Sequence, residues 1–230
     1  MKVESFNQNQ LANQPSKRFA PELKALDGPL EPAESLILDG EQRLADVELI
    51  GSPQQRQQFL QMVKAEPAAW NIYQQAKADQ SVNVKLNFQS RPDVTYGTGY
   101  GLGAFPKTHV IDLEDIEATR KADPKVGAVL AKSATYHEVR EAYKEALAAK
   151  GQKICAPNTI EAYKRWAPIH NEAFDKEGEI NNKYGVPARG QGVVQSEWGG
   201  ERTTKVPYGP HMNVLYTEGV QPLKIVVKKH

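Results

Sequence analysis

Residues 135–143, TYHEVREAY, contain the pattern HExxE and carry side chains that could bind a metal. On a helix, His137 and Glu141 are four residues apart, so they lie on one face and can converge on one ion. Zinc accepts imidazole nitrogen and carboxylate oxygen at similar distances, so Glu141 can stand where HExxH has its second histidine. The neighbouring Glu138 would hold a water molecule and remove its proton. The pattern therefore predicts two zinc ligands and one catalytic base.

A third protein ligand must come from elsewhere, because a catalytic zinc normally has three. We predict His170, in the stretch APIHNEAF, since an antiparallel pair of helices would bring it opposite His137. Glu172 and Glu177 are fallback ligands, followed by His211, His109 and His230. Two tyrosines, Tyr208 and Tyr143, could stabilise an oxyanion, although a tyrosine at helical spacing is more often a core residue.

The same helix also fits an interpretation without a metal. Charged residues crowd one side of it and would form a solvated face with intrahelical ion pairs, namely Arg140, Glu141, Lys144 and Glu145. Apolar residues make an ordinary buried stripe, namely Val139, Ala142, Tyr143, Ala146 and Leu147. From the spacing alone, a metal site and a plain surface helix both remain open.

The composition excludes several classes of protein. The chain has 230 residues, of which 40% are hydrophobic, enough for a sizeable core. Its 29 basic and 28 acidic residues nearly cancel, which argues against a broad nucleic-acid surface. No apolar run is long enough for a membrane span, and no signal peptide is visible. The single cysteine, Cys155, fits a reducing compartment and reads as a spectator thiol.

The order of predicted elements indicates an α+β fold, with a small mixed or antiparallel sheet and two long helices. Residues 1–30 read as a flexible tail, or as an unstructured export leader, and residues 31–230 as one domain. The predicted strands are 47–50, 81–88, 108–113 and three C-terminal runs, GVVQSEW, MNVLYTE and LKIVVKK. The predicted helices begin at Pro53, Pro67, Asp123 and Asn158, and the last two are the long ones.

Two polar stretches have simpler interpretations. The glycine-rich segment 96–106 lacks the spacing of a dinucleotide loop, so it is either a flexible hairpin connection or a loop that borders a cleft. The acids that follow the second strand, Glu114, Asp115 and Glu117, are expected to form a solvated edge.

Several segments together resemble the HExxH zinc-metallopeptidase-like toxins and effectors that bacteria secrete. The resemblance rests on YHEVREAY, on the preceding HVIDLEDI and on the later APIHNEAFDKEGEINNKYGVPARG. It covers roughly residues 50–200 and implies a zincin-like fold, with His137 as a zinc ligand and Glu138 as the base. It further implies a peptidase that acts on a protein of a host or target cell. Such a protein would leave the bacterial cytoplasm without the Sec pathway and reach the target-cell cytoplasm.

Glu141 departs from this family pattern, in which histidine is usual. A carboxylate ligand adds negative charge, which lowers the Lewis acidity of the ion and raises the pKa of its bound water. The resemblance thus allows an active peptidase or a catalytically inactive relative that binds a partner protein through the same surface. A third possibility is a structural or immunity-like protein encoded beside a toxin, with the HExxE helix as plain surface.

Overall fold

A computed structural model describes residues 47–92, 95–97, 109–151, 155–156 and 159–230, all of which belong to one compact unit. The predicted tail 1–30 and most of the glycine-rich segment lie outside the described residues. The described part is a mixed α+β structure with five helices and two sheets, which confirms the predicted fold class. Within it, no helix combines the length and the apolar character needed to cross a membrane.

The N-terminal half builds a parallel sheet covered by two short helices. Its strands are β1 (Val47–Ile50), β2 (Val84–Phe88) and β3 (His109–Ile111), and β2 lies between the other two. Helix α1 (Pro53–Lys64) begins with a capping box, in which Ser52 and Gln55 each bond the other's backbone. Helix α2 (Pro67–Ala78) follows directly and has Glu66 as its N-cap. These helices begin where proline and a capping side chain predict them.

Helix α3 (Leu113–Ala122) differs from the sequence prediction, which placed a strand end and a solvated acidic edge there. Asp112 caps this helix by accepting hydrogen bonds from the backbone of Glu114 and Asp115. Asp115 is only 2% exposed, so its placement on a solvated edge is wrong. Ile116 and Thr119 complete a buried face of α3, and this face packs on the next helix.

The two long helices are α4 (Val126–Ala149) and α5 (Ile160–Lys183), which pack against each other. Gly151 follows α4 with a positive φ of 69°, which suits the predicted stop. The predicted cap Asn158 lies outside the described residues, and Thr159 is the N-cap of α5. Helix α4 is buried along much of its length because it contacts α1, α2, α3, α5 and β2.

The C-terminal residues form a second, antiparallel sheet in sequential order. Its strands are β4 (Val193–Trp198), β5 (Glu201–Pro207), β6 (Met212–Glu218) and β7 (Lys224–Lys229). The sequence prediction missed β5 and expected one mixed or antiparallel sheet, whereas the structure has one parallel and one antiparallel sheet. The two larger hydrophobic clusters of the described residues lie between the parallel sheet and the helices and between β5, β6 and the start of α4. The middle of α4 therefore lies inside the molecule, where its polar residues are buried.

Candidate metal centre

The three predicted metal ligands come together between α4 and α5. His137 Nε2 lies 3.0 Å from Glu141 Oε2 and 3.2 Å from His170 Nδ1. The third side of this triangle, from His170 Nδ1 to Glu141 Oε2, measures 2.8 Å. His137 and Glu141 are buried, and the His170 side chain is 27% exposed. Helical spacing brings the first two together, and the packing of α5 on α4 adds the third.

The size of this triangle fits a zinc ion. Two ligands of a tetrahedral zinc with bonds of about 2.0–2.1 Å stand about 3.3 Å apart. The observed separations of 2.8–3.2 Å therefore need outward movements of only a few tenths of an ångström. Two imidazoles and one carboxylate are also a donor set that zinc accepts in catalytic sites, with one position left for water or substrate.

Neighbouring side chains hold the ligands in place. Trp166 Nε1 donates to Glu141 Oε1 at 2.6 Å, which leaves Oε2 facing the two histidines. The Trp166 ring also stacks on His170 with 4.3 Å between centroids. His137 Nδ1 lies 3.2 Å from Glu177 Oε2, although the contact lacks the alignment of a hydrogen bond. Carboxylates placed behind metal-binding histidines orient the ring and raise its basicity.

Glu138, the predicted base, lies beside this triangle but is not free. Its Oε2 lies 2.8 Å from Nε2 of His109, at the start of β3, and both residues are buried. No described residue donates to Glu138 Oε1. The carboxylate also packs against Gly97, where a Cβ atom would come within 1.6 Å of Oε2. One oxygen of Glu138 is thus held by histidine, and the other remains for a water molecule.

The charges in the centre are strongly coupled. Burial lowers the pKa of His137, but the hydrogen bond with Glu141 and the close contact with Glu177 outweigh it and raise this pKa to about 10. Burial raises the pKa of Glu141, yet the contacts with His137 and His170 hold it well below its usual value. Burial also raises the pKa of Glu177, but His137 outweighs this effect and lowers it. The carboxylates of Glu141 and Glu177 are therefore both ionised at neutral pH. A metal ion would replace the proton on His137 and release it.

The other candidates from the sequence lie elsewhere. Glu172 pairs with Arg140 on the exterior, and His211 is exposed. His230 contacts Asn213 through its ring. Tyr143 donates to Asp79, whereas Tyr208 is buried and hydrogen-bonded to Tyr216. The interpretation of the HExxE helix as a solvated face is wrong, since Glu141 and Glu145 are each 2% exposed.

His109 is the residue whose importance the sequence prediction underrated. It was ranked behind other third ligands, but the structure places it against Glu138 and Glu145 in the interior. Its only signal in the sequence was its position at the start of a strongly apolar strand. A histidine there must find a polar partner within the core.

Comparisons of the chain with protein families, curated proteins and solved structures found no match.

Proposed function

We propose that the protein is a zincin-like, zinc-dependent hydrolase that cleaves peptide bonds in a protein substrate. His137, Glu141 and His170 would hold the ion. The observation that carries the proposal is the triangle of three donor atoms from two helices, with sides of 2.8–3.2 Å. Glu138 follows a ligand directly in the chain, as the base of HExxH helices does.

Zinc in such a site supplies Lewis acidity, which polarises the substrate carbonyl and acidifies water. Glu138 Oε1 would accept a proton from the attacking water while the water oxygen bonds to the carbonyl carbon. The same oxygen would then return the proton to the amine nitrogen as the C–N bond breaks. His109 would keep the carboxylate oriented through its 2.8 Å contact with Oε2.

The resemblance to secreted bacterial metallopeptidase-like toxins supports the wider setting of this proposal. The protein would be made in the bacterial cytoplasm, exported by a non-Sec route and act in the cytoplasm of a target cell. The single cysteine agrees with a working environment that is reducing. The substrate would be a protein of that cell, rather than nucleic acid or membrane lipid.

A second candidate function is a catalytically inactive effector that binds a partner protein on the same scaffold. It is favoured by one observation, namely that Glu138 is only 6% exposed and already bonded to His109. A base held in this way exchanges protons with water less readily, and the carboxylate ligand Glu141 weakens the Lewis acid further.

Zinc analysis of protein stripped with a chelator and then returned to zinc tests the first part of the proposal. We expect stoichiometric zinc in the wild type and a loss in His137→Ala. His211→Ala is the matched control, because it removes an exposed histidine far from these ligands in sequence and contacts. Absence of stoichiometric zinc, or its retention in His137→Ala, would remove the proposal.

Cleavage of unfolded proteins and peptide libraries, read by mass spectrometry, tests the second part. We expect zinc-dependent cleavage that Glu138→Gln abolishes while zinc binding persists. If zinc binds but neither the wild type nor Glu138→Gln cleaves any substrate, the inactive effector becomes the better description. Cleavage by Glu138→Gln at the wild-type rate would show that another residue is the base.

A further inference from the structure

A second group of potential ligands lies beside the first and shares one residue with it. His109, Glu141 and Glu145 each offer an atom within 4.8 Å of the other two, and all three residues are buried. His109 comes from β3, while the two glutamates lie one helical turn apart on α4. Glu141 therefore belongs both to this group and to the triangle with His137 and His170.

Glu145 is the residue that calls for an explanation. It is 2% exposed, and neither of its carboxylate oxygens has a hydrogen-bond partner among the described residues. His109 Nδ1 is also buried and lacks a hydrogen bond there, and it lies 3.7 Å from Glu145 Oε2. A buried carboxylate without a hydrogen-bond partner is costly, and binding to a metal ion is one of the few arrangements that satisfy it.

The distance between these two atoms is close to that of two ligands on one ion. Two ligands of a tetrahedral ion with bonds of about 2.1 Å stand about 3.4 Å apart. The observed separation of His109 Nδ1 and Glu145 Oε2 is 3.7 Å. The other ring nitrogen, Nε2, contacts Glu138 at 2.8 Å. This places a carboxylate behind a metal-binding histidine, the usual arrangement for fixing its tautomer.

The charge of the whole cluster also favours a metal ion beside His109 and Glu145. Four carboxylates are buried here, those of Glu138, Glu141, Glu145 and Glu177. Three histidines face them, and as ligands these must be neutral. Arg189 acts electrostatically on Glu177 and a first ion would lie at Glu141, whereas among the described residues only His109 faces Glu145. Buried charges persist only when they are paired or bound to a metal.

We propose that the protein binds a second divalent transition-metal ion through His109 and Glu145, with Glu141 as the carboxylate shared between two metal positions. One imidazole and two carboxylates suit zinc, manganese or iron(II). His109 also lines a cleft of about 320 Å³ between β2 and the C-terminal half of α4. This inference rests on the proposed zinc centre, because the two positions share Glu141.

Metal counting on full-length protein tests the inference. We expect the wild type, stripped and titrated with zinc alone, to bind two equivalents. Glu145→Gln should bind one, because it removes a ligand of the second position only, and His170→Ala should lose the first equivalent. Glu172→Gln, an exposed glutamate of α5, is the control that should keep both.

The outcomes separate this inference from the proposed function. One equivalent in the wild type, lost in His137→Ala but kept in Glu145→Gln, would overturn the second position and leave the zinc centre standing. No zinc at all would overturn both. Two equivalents that persist in Glu145→Gln would place the second ion elsewhere and also overturn the inference.

A measurement on the unaltered protein covers the case in which Glu145→Gln does not fold. Two manganese ions bridged by one carboxylate give an electron paramagnetic resonance spectrum with spin coupling, whereas separate ions do not. We expect a coupled spectrum at two equivalents of manganese. His109→Gln should convert it to the spectrum of one isolated ion. A spectrum of uncoupled ions in the wild type would contradict a shared Glu141.

Discussion

Gly97 should be unable to accept even a methyl group, because Glu138 fills the space beside it. A Cβ atom at Gly97 would lie 1.6 Å from Glu138 Oε2 and 2.3 Å from its Cδ. The φ angle of Gly97 is outside the left-handed region, so alanine could adopt the same backbone. The substitution Gly97→Ala therefore tests one contact and involves no backbone strain. Glu138 would have to leave its position against His109.

The size of the effect follows from that displacement. Moving Glu138 breaks its 2.8 Å contact with the buried His109. Burial lowers the pKa of His109, but Glu138 and Glu145 raise it to about 10, so the contact is an ion pair in the metal-free protein. Breaking a buried ion pair costs about 3–5 kcal/mol. Replacing glycine by alanine restricts the unfolded chain and returns about 0.4–1 kcal/mol. We expect Gly97→Ala to lower the free energy of unfolding by about 2–4 kcal/mol, which corresponds to a fall in Tm of about 4–16 °C for a chain of this size.

Urea and thermal unfolding of four proteins would measure this contact. They are the wild type, Gly97→Ala, Glu138→Ala and the double variant. Glu138→Ala vacates the space that the new methyl group needs, so the alanine at position 97 should cost almost nothing in that background. An equal loss of stability with and without the Glu138 side chain would refute the reasoning. It would mean that Gly97 is sensitive for a reason unrelated to Glu138.

Two further predictions concern the support of the site and the pH dependence of stability. Trp166→Phe keeps an aromatic ring against His170 but removes the 2.6 Å hydrogen bond to Glu141. We expect zinc affinity to fall about 10–100-fold in competition with a chelator, and an unchanged affinity would contradict this role. Burial, together with the charges of Asp112 and Glu114, raises the pKa of Asp115 to about 7, although the hydrogen bond that Asp115 accepts from the Leu223 backbone lowers it. Since this folded value exceeds the unfolded one, the contribution of Asp115 to stability is fully present below about pH 4 and is lost as the pH rises to about 7. Urea unfolding at several pH values should show that Asp115→Asn removes this fall, and an unchanged slope would contradict it.

The sequence predicted those parts of the fold that local signals determine. Helices α1 and α2 begin at Pro53 and Pro67, where a proline follows a capping residue, and the structure has both. Strand β5 was missed because ERTTKVP is largely polar and becomes a strand through its pairing with β4 and β6. Pairing with strands from elsewhere in the chain leaves no periodic pattern in the sequence of a single strand. Helix α3 was missed for another reason, because its apolar stripe is short and lies among acidic residues.

The same distinction between local and non-local signals applies to the residues of the candidate site. His137 and Glu141 could be paired from sequence alone because helical spacing fixes their distance. His170 required only the assumption that two long helices pack together. The position of His109 against Glu138 and Glu145 depends on how β3 meets α4, which no local pattern specifies. The proposed sharing of Glu141 between two metal positions could therefore be inferred only from the three-dimensional structure.

Glu141→His, which restores the HExxH pattern, would separate the two roles assigned to Glu141. A histidine can still bind the first ion with His137 and His170, so one equivalent of zinc should remain. It cannot bridge two positions as a carboxylate does, so the second equivalent should be lost. It also removes one negative charge from the ligands, which makes the ion a stronger Lewis acid and lowers the pKa of its water.

Zinc analysis and a pH profile of peptide cleavage would measure both consequences. We expect one zinc per chain in Glu141→His and an acidic limb of the profile displaced to lower pH than in the wild type. Two zinc ions per chain in this variant would show that Glu141 is not shared. An unmoved profile would show that the charge of the ligand at position 141 does not control the water. The first outcome would leave the carboxylate at this position in need of a reason other than bridging, and the second of a reason other than its charge, such as its hydrogen bond from Trp166.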